Sequence, residues 1–267
     1  MNAFLPPRII FPVLLLSFAA SLRAAEPIHA LLIAGGCCHD YATQKQLLTE
    51  GISARANVTW DILVEGLGTR EHRMSLYDKP DWSEGYDVVV HDECFGDITN
   101  VEFIEHIAQA HFEGLPAVMI HCAIHSYRHT STDEWRKLLG VSSFYHDKAR
   151  PFQVRSLNPD HPIMKGFPAL WQDPAPDELY RMAKLWPNCT PLAKTIDLTN
   201  TPDTTCVWIN AYGKARVFGT TLGHANATVQ NADYLDLVTR GLLWACGKLD
   251  ESGHPKPGYE ARPPRAR

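Results

Sequence analysis

Uninterrupted apolar runs, each ending at glycines or at charged residues, recur along the first half of the chain. Such runs are typical of strands that are buried on both faces, as in a parallel sheet. Four of them predict strands, at residues 28–36, 58–66, 86–93 and 116–122. The first, IHALLIAGG, is followed by two cysteines, a histidine and an aspartate before a helical pattern begins.

Segments with apolar residues at helical spacing lie between these runs. They predict helices at residues 43–56, 99–114 and 131–140. Thr99 and Glu102 have the spacing of a capping box at the start of the second helix, and Gly114 stands where a helix commonly ends. The alternation of strands and helices predicts the α/β class, with a doubly wound, mostly parallel sheet and helices on both faces.

The second half of the chain has strand-like segments that are separated by turns rather than by helices. This pattern predicts a mixed or antiparallel extension of the sheet, with a hairpin at AYGKAR. Asn231 begins a last amphipathic helix that Gly247 ends. Residues 248–267 are rich in proline and charge, which predicts a disordered tail. The folded domain is therefore expected over residues 25–247.

The first 24 residues combine Arg8 with an apolar run from Ile9 to Ala20 and small residues at Ala24 and Ala25. This is the pattern of a cleaved secretory signal peptide, and the run is shorter than the roughly 20 residues that span a bilayer. We therefore expect an exported protein, periplasmic or secreted, with no membrane association after cleavage. Removal of the segment changes the formal net charge from −5 to −7, which disfavours nucleic acid as a partner.

All seven cysteines follow this segment. Export permits disulfides, but an odd count at irregular spacing is not a disulfide framework. Most of the cysteines are expected to be buried as small apolar residues. Cys189 with Cys206 is one conceivable pair, and nothing in the sequence supports it.

Ionisable and polar side chains follow the predicted strands. They are His39 and Asp40 after the first strand, Glu93 at the end of the third, Cys122, His125, Ser126 and Arg128 after the fourth, and His224 after a late strand. Because ligands of open α/β sheets bind outside the carboxyl ends of the strands, these residues are expected to line one cleft. Of Asp92 and Glu93, which alternate faces, Glu93 is expected to point into it. His91 and His121 lie inside strand patterns and are expected to be buried core residues.

Two kinds of chemistry fit these residues. Imidazole and carboxylate groups suit a divalent metal such as Zn²⁺, or general acid–base catalysis without a metal, and no motif of diagnostic spacing decides between them. Alternatively, a strand-to-helix turn that carries Cys122 would be a nucleophile elbow with a lowered thiol pKa. The neighbours of Cys122 fit such an elbow incompletely, because Ile120 and Ile124 are not small.

Five segments, in this order, make the chain resemble the trehalose-utilisation (ThuA-like) family: AGGCCHDY, PAVMIHCAIHSYR, NPDHPIMKGFP, PDELYRM and KARVFGTTLGH. The resemblance extends over residues 29–247 and implies a flavodoxin-like, class I glutamine amidotransferase-like fold. It implies functional roles for the turns at 36–39 and 121–126, for residues 177–180 and for residues 223–224. Glu178 enters the predicted site only through this resemblance. The family usually lacks the amidotransferase cysteine, so Cys122 is interpreted as drift rather than as restored glutaminase activity.

The resemblance also associates the chain with disaccharide catabolism, and so with a small-molecule carbohydrate, an oxidised keto-sugar included. The expected metal ligands are His39, Glu178 and His224. The expected catalytic residues are His125, Glu93 and Cys122. The expected substrate-binding residues are Asp40, Tyr41, Ser126, Arg128 and Tyr180.

The sequence leaves three functions open. The first is an exported carbohydrate-processing enzyme, a hydrolase, lyase or isomerase, that uses His and Glu acid–base chemistry with or without a metal. The second is a Cys122-dependent amidase or hydrolase on the amidotransferase scaffold. The third is a sugar-binding module without catalysis, against which the crowding of ionisable groups argues. The oligomeric state, a homo-oligomer included, is open as well.

Overall fold

The computed structural model describes residues 25–196 and 204–262, so the predicted signal peptide lies outside the described residues. The strands are β1 Ile28–Gly36, β2 Val58–Glu65, β3 Val88–Cys94, β4 Ala117–Ile120, β5 Val141–His146, β6 Gln153–Ser156, β7 Leu170–Gln172, β8 Tyr180–Leu185, β9 Thr190–Ile196, β10 Thr204–Tyr212 and β11 Ala215–Thr220. The helices are α1 Tyr41–Ser53, α2 Val101–Glu113, α3 Glu134–Leu139, α4 Asn226–Val229 and α5 Ala232–Ala245. Among these residues, no helix has both the length and the apolar character that crossing a bilayer requires.

Nine of the strands form one sheet, in the order β2-β1-β3-β4-β11-β10-β9-β6-β7. The strands from β2 to β11 in this order are parallel. From β10 to β7 each strand pairs antiparallel with its neighbour. This confirms the predicted α/β class, with its parallel sheet and its antiparallel extension. The predicted hairpin at AYGKAR is the β10–β11 turn.

Each face of the sheet carries its own apolar core. Leu32 of β1 belongs to the core that α1 and α5 cover, and Ile33 belongs to the core that α2 and α3 cover. Because both faces are covered, every residue of β3 is buried, polar ones included. The carboxyl ends of the parallel strands are the edge where loops replace this packing.

The helix ends follow the local sequence signals, with one shift. Asn231 accepts a hydrogen bond from the backbone N–H of Asp233 at 3.0 Å and begins α5, as predicted. The N-cap of α2 is Asn100, whose side chain accepts from the N–H of Phe103 at 2.8 Å, and not Thr99. Asparagine caps helices at least as well as threonine does. Asn100 stands one residue after Thr99, where its side chain reaches an N–H group of the first turn of α2.

Residues 248–262 pack against the domain, in contrast to the predicted disorder from residue 248. Leu249 is buried in the core under α5, and Tyr259 packs against the same core. The backbone N–H of Asn57 donates to Tyr259 O at 2.9 Å, and its buried side chain donates to Gly258 O at 3.1 Å. The prediction of disorder rested on the overall composition of the segment. Composition does not show that two apolar residues in it, Leu249 and Tyr259, can pack on the core.

Truncation of the chain after Gly247 is expected to lower the free energy of unfolding by about 2–4 kcal/mol. The truncation exposes the surface under Leu249 and leaves the buried Asn57 amide without its acceptor. Urea denaturation followed by circular dichroism measures the change. The matched control ends after Arg262 and keeps all of these contacts. Equal stability of the two truncated chains would contradict the packing of residues 248–262.

Candidate metal centre

The carboxyl ends of the parallel strands bring loops together at one edge of the sheet. His39 follows β1, His121 follows β4 and His224 follows β11. Glu178 reaches the same point from the segment that precedes β8. Ligands of open α/β sheets bind at this edge. The structure thus brings together His39, Glu178 and His224, the three residues expected as ligands, and adds His121.

These four residues form a cluster with the geometry of a metal site, here called the His–Glu cluster. One potential ligand atom from each residue lies within 4.8 Å of those of the other three. Glu178 Oε2 is 3.5 Å from His121 Nε2, and Glu178 Oε1 is 3.5 Å from His224 Nδ1. His39 Nδ1, His121 Nε2 and His224 Nδ1 are buried and have no hydrogen-bond partner among the residues that the structure describes. Native proteins rarely leave buried polar atoms unsatisfied, and a shared cation would satisfy these nitrogens.

Contacts on the far side of the rings hold the imidazoles in place. His121 Nδ1 donates to Thr221 O at 2.6 Å, which directs Nε2 toward Glu178. His39 Nε2 lies 3.0 Å from Cys122 Sγ. The rings of His39, His121 and His224 meet edge to face, with centroids 4.7 to 5.5 Å apart. The side chains are therefore preorganised.

Asp177 is fully buried beside the cluster and connects two of its loops. Its Oδ1 accepts from the N–H of Glu178 at 2.7 Å. Its Oδ2 accepts from the N–H of Gly223 at 2.9 Å and from that of His224 at 3.4 Å. Oδ1 also lies 3.9 Å from His121 Nδ1. One carboxylate thus fixes the position of Glu178 relative to His224.

The protonation states within the cluster depend on one another. Burial lowers the pKa of His39 to about 3, and the charges of His121 and His224 add to this effect. Burial also disfavours protonated His121, but Glu178 and Asp177 outweigh it and raise the His121 pKa to about 9. Burial would raise the pKa of Glu178, whereas the adjacent His121, with Nε2 3.5 Å from Oε2, lowers that pKa below the ordinary value. A proton on His121 balances Glu178, and a bound cation would take the place of that proton.

Three non-glycine residues of the described ranges have a left-handed backbone, and all lie in the turns that build this site. They are Cys38 at φ 85°, His121 at φ 42° and Tyr127 at φ 57°. Such conformations cost roughly 1–3 kcal/mol each and collect at functional sites. His121 occupies the sharp turn directly after β4. The elbow therefore presents an imidazole, and Cys122 is the residue after it.

A cavity of about 170 Å³ opens beside the cluster. It is lined by Cys37, Cys38, His39, Arg70, Cys94, Gly96, Cys122, His125, Arg128, His146 and Glu178. Sites for drug-sized ligands measure about 300–1,000 Å³, so this cavity takes a small molecule or one unit of a larger one. A larger cavity of about 660 Å³ lies at the opposite edge of the sheet, but no histidine or cysteine lines it. The chemistry therefore belongs to the smaller cavity.

Of the expected catalytic and binding residues, Cys122, His125 and Arg128 line this cavity, and Tyr180 packs behind His125. The rings of His125 and Tyr180 stack with centroids 4.2 Å apart, and His125 Nε2 lies 2.9 Å from Ser143 Oγ. Burial, with the charge of Arg128, lowers the pKa of His125 to about 2. The ring is thus neutral at physiological pH and suits hydrogen bonding better than proton uptake.

The structure does not bring Glu93 into the cavity. Its Oε1 lies 3.0 Å from His91 Nδ1 and accepts from Tyr77 Oη at 3.2 Å, within the core that α2 and α3 cover. Asp92 is on the face of His121, and burial raises its pKa well above the ordinary value. Strand alternation shows that the two acids diverge, but it does not tell which face the cleft occupies.

Three further predicted residues have structural contacts and do not line the cavity. Ser126 donates to Glu93 O at 2.6 Å. Asp40 caps α1, accepting from the N–H of Thr43 at 3.2 Å. Tyr41 is buried and donates to Cys37 O at 3.0 Å. These residues shape the turns on which the site is built.

The cysteines correct one expectation and qualify another. Cys37 and Cys38, which are adjacent in the chain, form a disulfide, whereas Cys189 and Cys206 are both free, so the conceivable pair is wrong. The sequence gives no signal for a bond between adjacent cysteines, because disulfide frameworks are recognised by the spacing of cysteines that lie further apart. Burial raises the pKa of the Cys122 thiol well above its ordinary value. A buried thiol of raised pKa is a poor nucleophile.

Sequence reasoning missed two histidines of the site. His121 was assigned to a strand, but β4 ends at Ile120, and His121 is the first residue of the turn. The HCAIH spacing and the family resemblance were the signals that pointed to it. His146 lines the cavity, with Nε2 3.4 Å from Glu178 Oε2. It ends β5, a strand that the sequence pattern did not predict.

Comparisons with known proteins agree with this architecture. A family model described as trehalose utilisation (ThuA) matches residues 70–245. A ThuA-like protein from Parabacteroides merdae superposes with a TM-score of 0.68 at 22% identity, over 88% of this chain and 98% of that one. A ThuA-like protein from Bacteroides uniformis gives 0.66 at 17% identity, over 89% and 98%. No curated protein sequence matches the chain.

A more distant structural likeness is to the β-galactosidase from Rahnella sp. R3. It has a TM-score of 0.54 at 14% identity, over 81% of this chain and 31% of the β-galactosidase. At such identities the solved structures bear on the fold alone.

Substitution Asp177→Ala is expected to lower the free energy of unfolding by about 2 kcal/mol or more, because buried backbone N–H groups lose their acceptor. Urea denaturation measures the change. The control is Asp160→Ala, which removes a surface carboxylate that pairs with Lys165 and should change stability by no more than about 0.5 kcal/mol. Equal effects in the two variants would show that Asp177 does not anchor the loops.

Alkylation by iodoacetamide without reductant is expected to leave Cys37, Cys38 and Cys122 unlabelled in the native protein. A reductant opens the disulfide and exposes Cys37 and Cys38 at the cavity, whereas Cys122 should react only after unfolding in urea. Peptide mass spectrometry identifies the labelled residues. Fast labelling of Cys122 in the native protein would contradict the protonated, buried thiol.

Proposed function

Since the chain belongs to the trehalose-utilisation (ThuA) family, we propose that it is an exported enzyme that processes a disaccharide or keto-sugar derivative by metal-assisted acid–base chemistry. Family membership supports a carbohydrate-related role. The observation that carries the metal is the set of three buried, unpartnered ring nitrogens around Glu178.

The donor set fits Zn²⁺. Nitrogen and oxygen ligands bind zinc at about 2.0–2.2 Å, so ligand atoms at tetrahedral angles lie roughly 3.4 Å apart. The distances from Glu178 Oε2 to His121 Nε2 and from Glu178 Oε1 to His224 Nδ1 are both 3.5 Å. His39, His121, His224 and Glu178 would hold the ion. When bound, it would polarise a carbonyl oxygen or activate a water molecule.

Two further histidines complete the proposed chemistry. His146 lines the cavity, is partly exposed and lies 3.4 Å from Glu178, so it is placed to exchange a proton with a bound sugar. His125, neutral and stacked on Tyr180, would hold a sugar hydroxyl by a hydrogen bond. This division differs from the expectation that His125 is the acid or base, because its burial lowers its pKa to about 2.

The alternative functions have less support. A Cys122-dependent amidase needs an accessible thiolate, but Cys122 is buried and its pKa is raised. A neutral His39 next to it would not stabilise a thiolate. A binding module without catalysis has no use for three buried nitrogens that are costly to leave unsatisfied. Export is supported by the pattern of residues 1–24 and by the Cys37–Cys38 disulfide, a bond that persists in oxidising compartments.

Purified protein is expected to contain about one equivalent of zinc or a similar divalent metal per chain. Substitution of His39, His121 or His224 by Ala should lower metal affinity by a factor of 10 or more, because each change removes one ligand. Elemental mass spectrometry of protein prepared without chelators measures the content. Turnover of a panel of disaccharides and their keto derivatives should fall with the metal.

The control for this experiment is His106→Ala. His106 is partly exposed, lies outside the cavity, and its ring makes a hydrogen bond with Lys79 O at 3.1 Å. It should retain the metal and the activity of the unsubstituted protein. Metal content that is unchanged in all three ligand variants would contradict the proposed centre.

A further inference from the structure

Arg128 places a guanidinium in the wall of the cavity. Its Nη1 donates to Phe144 O at 3.3 Å, while its Nε is buried and has no hydrogen-bond partner within residues 25–196 and 204–262. The guanidinium lies against Gly96, where an added Cβ would be 3.3 Å from Arg128 Nε. The glycine leaves room for the arginine beside the backbone.

Within the described part of the chain, no carboxylate lies within ion-pairing distance of Arg128. The other arginine of the cavity, Arg70, differs in this respect, because its Nε lies 3.1 Å from Asp97 Oδ2. A partly buried guanidinium without a counter-ion is costly in a protein, and its donors suit carboxylate and phosphate oxygens. Arg128 is therefore a cation that lacks its anion.

The charges of the residues that line the cavity also favour an anion beside Arg128. Among the described residues that line the cavity, Glu178 is the only acidic one, whereas two are arginines, Arg70 and Arg128. Glu178 is in turn engaged with the histidines of the cluster. A divalent cation in the cluster would make the cavity more positive still. This charge would favour an anion.

We propose that the cavity binds a sugar unit that carries an oxyanion, a carboxylate or a phosphate, and that Arg128 is the residue that pairs with it. This proposal rests on the proposed function and narrows its substrate from carbohydrates in general to acidic ones. The cavity volume of about 170 Å³ limits the bound portion to one small unit.

The test compares D-glucuronate, D-glucose 6-phosphate and D-glucose as ligands of the metal-loaded protein by isothermal titration calorimetry. These sugars differ at the sixth carbon, which carries a carboxylate, a phosphate or a hydroxyl. At least one acidic sugar should bind about tenfold or more tightly than glucose. If D-glucuronate binds more tightly than D-glucose 6-phosphate, the preferred oxyanion is a carboxylate. The reverse order identifies a phosphate.

Substitution Arg128→Gln should abolish the preference for the acidic sugar, because it removes the charge and keeps an amide donor. Arg128→Lys keeps the charge without the planar fork and should retain part of the preference. The control is Arg73→Gln, since Arg73 is exposed, pairs with Asp78 and does not line the cavity.

Two results would overturn the proposal: no preference for either acidic sugar at millimolar concentration, or a preference that survives in Arg128→Gln. Metal content is measured on the same samples. Loss of the preference with the metal retained supports the role of Arg128. Absence of the metal from the unsubstituted protein would instead contradict the proposed function, so the two failures are distinguishable.

Discussion

The buried carboxylate of Asp177 is the interaction on which the site depends. Glu178 and His224 are far apart in the chain, and neither loop has a helix or a strand that holds it directly to the other. Both oxygens of Asp177 accept backbone N–H groups, one from Glu178 and one from the Gly223–His224 turn. Since the carboxylate is fully buried, these hydrogen bonds do not compete with water. The fold therefore holds the side chains of the His–Glu cluster in place before any metal or substrate binds.

The elbow after β4 shows how this chain uses the amidotransferase-like scaffold. In such scaffolds a sharp, strained turn at the end of a central strand projects a reactive side chain. Here the left-handed residue is His121, and its ring is held between Thr221 O and Glu178. Cys122, one residue later, turns instead into the buried cluster of Ala34, Tyr41 and Cys94. The same backbone device thus presents an imidazole rather than a thiolate.

Much of the fold and part of the site could be predicted from the sequence, for identifiable physical reasons. Continuous apolar runs are typical of strands with both faces covered, as in β1 and β3, and the rule for carboxyl ends then places His39 and His224 together. Glu178 has no such signal, because it precedes a short strand outside the parallel sheet, and only the family resemblance indicated it. Glu93 was expected in the cleft because strand alternation puts Asp92 and Glu93 on opposite faces of the sheet. Alternation alone does not tell which of the two faces borders the cleft. The Cys37–Cys38 disulfide depends on the backbone geometry of the turn, which the spacing of the cysteines along the sequence does not predict.

Three strained backbone positions in one small region require compensation, and each has it nearby. The turn at Cys38 is held by Tyr41, whose hydroxyl donates to Cys37 O. Tyr127 is buried in the core under α2 and α3, and its N–H donates to Phe95 O at 3.1 Å. His121 is fixed by its own ring contacts. Because packing and hydrogen bonds offset the strain, the fold itself holds the four side chains of the His–Glu cluster close together, and the proposed cation would not need to order the loops first. The strain of the turns and the closeness of these side chains are in this way two consequences of the same rigid backbone.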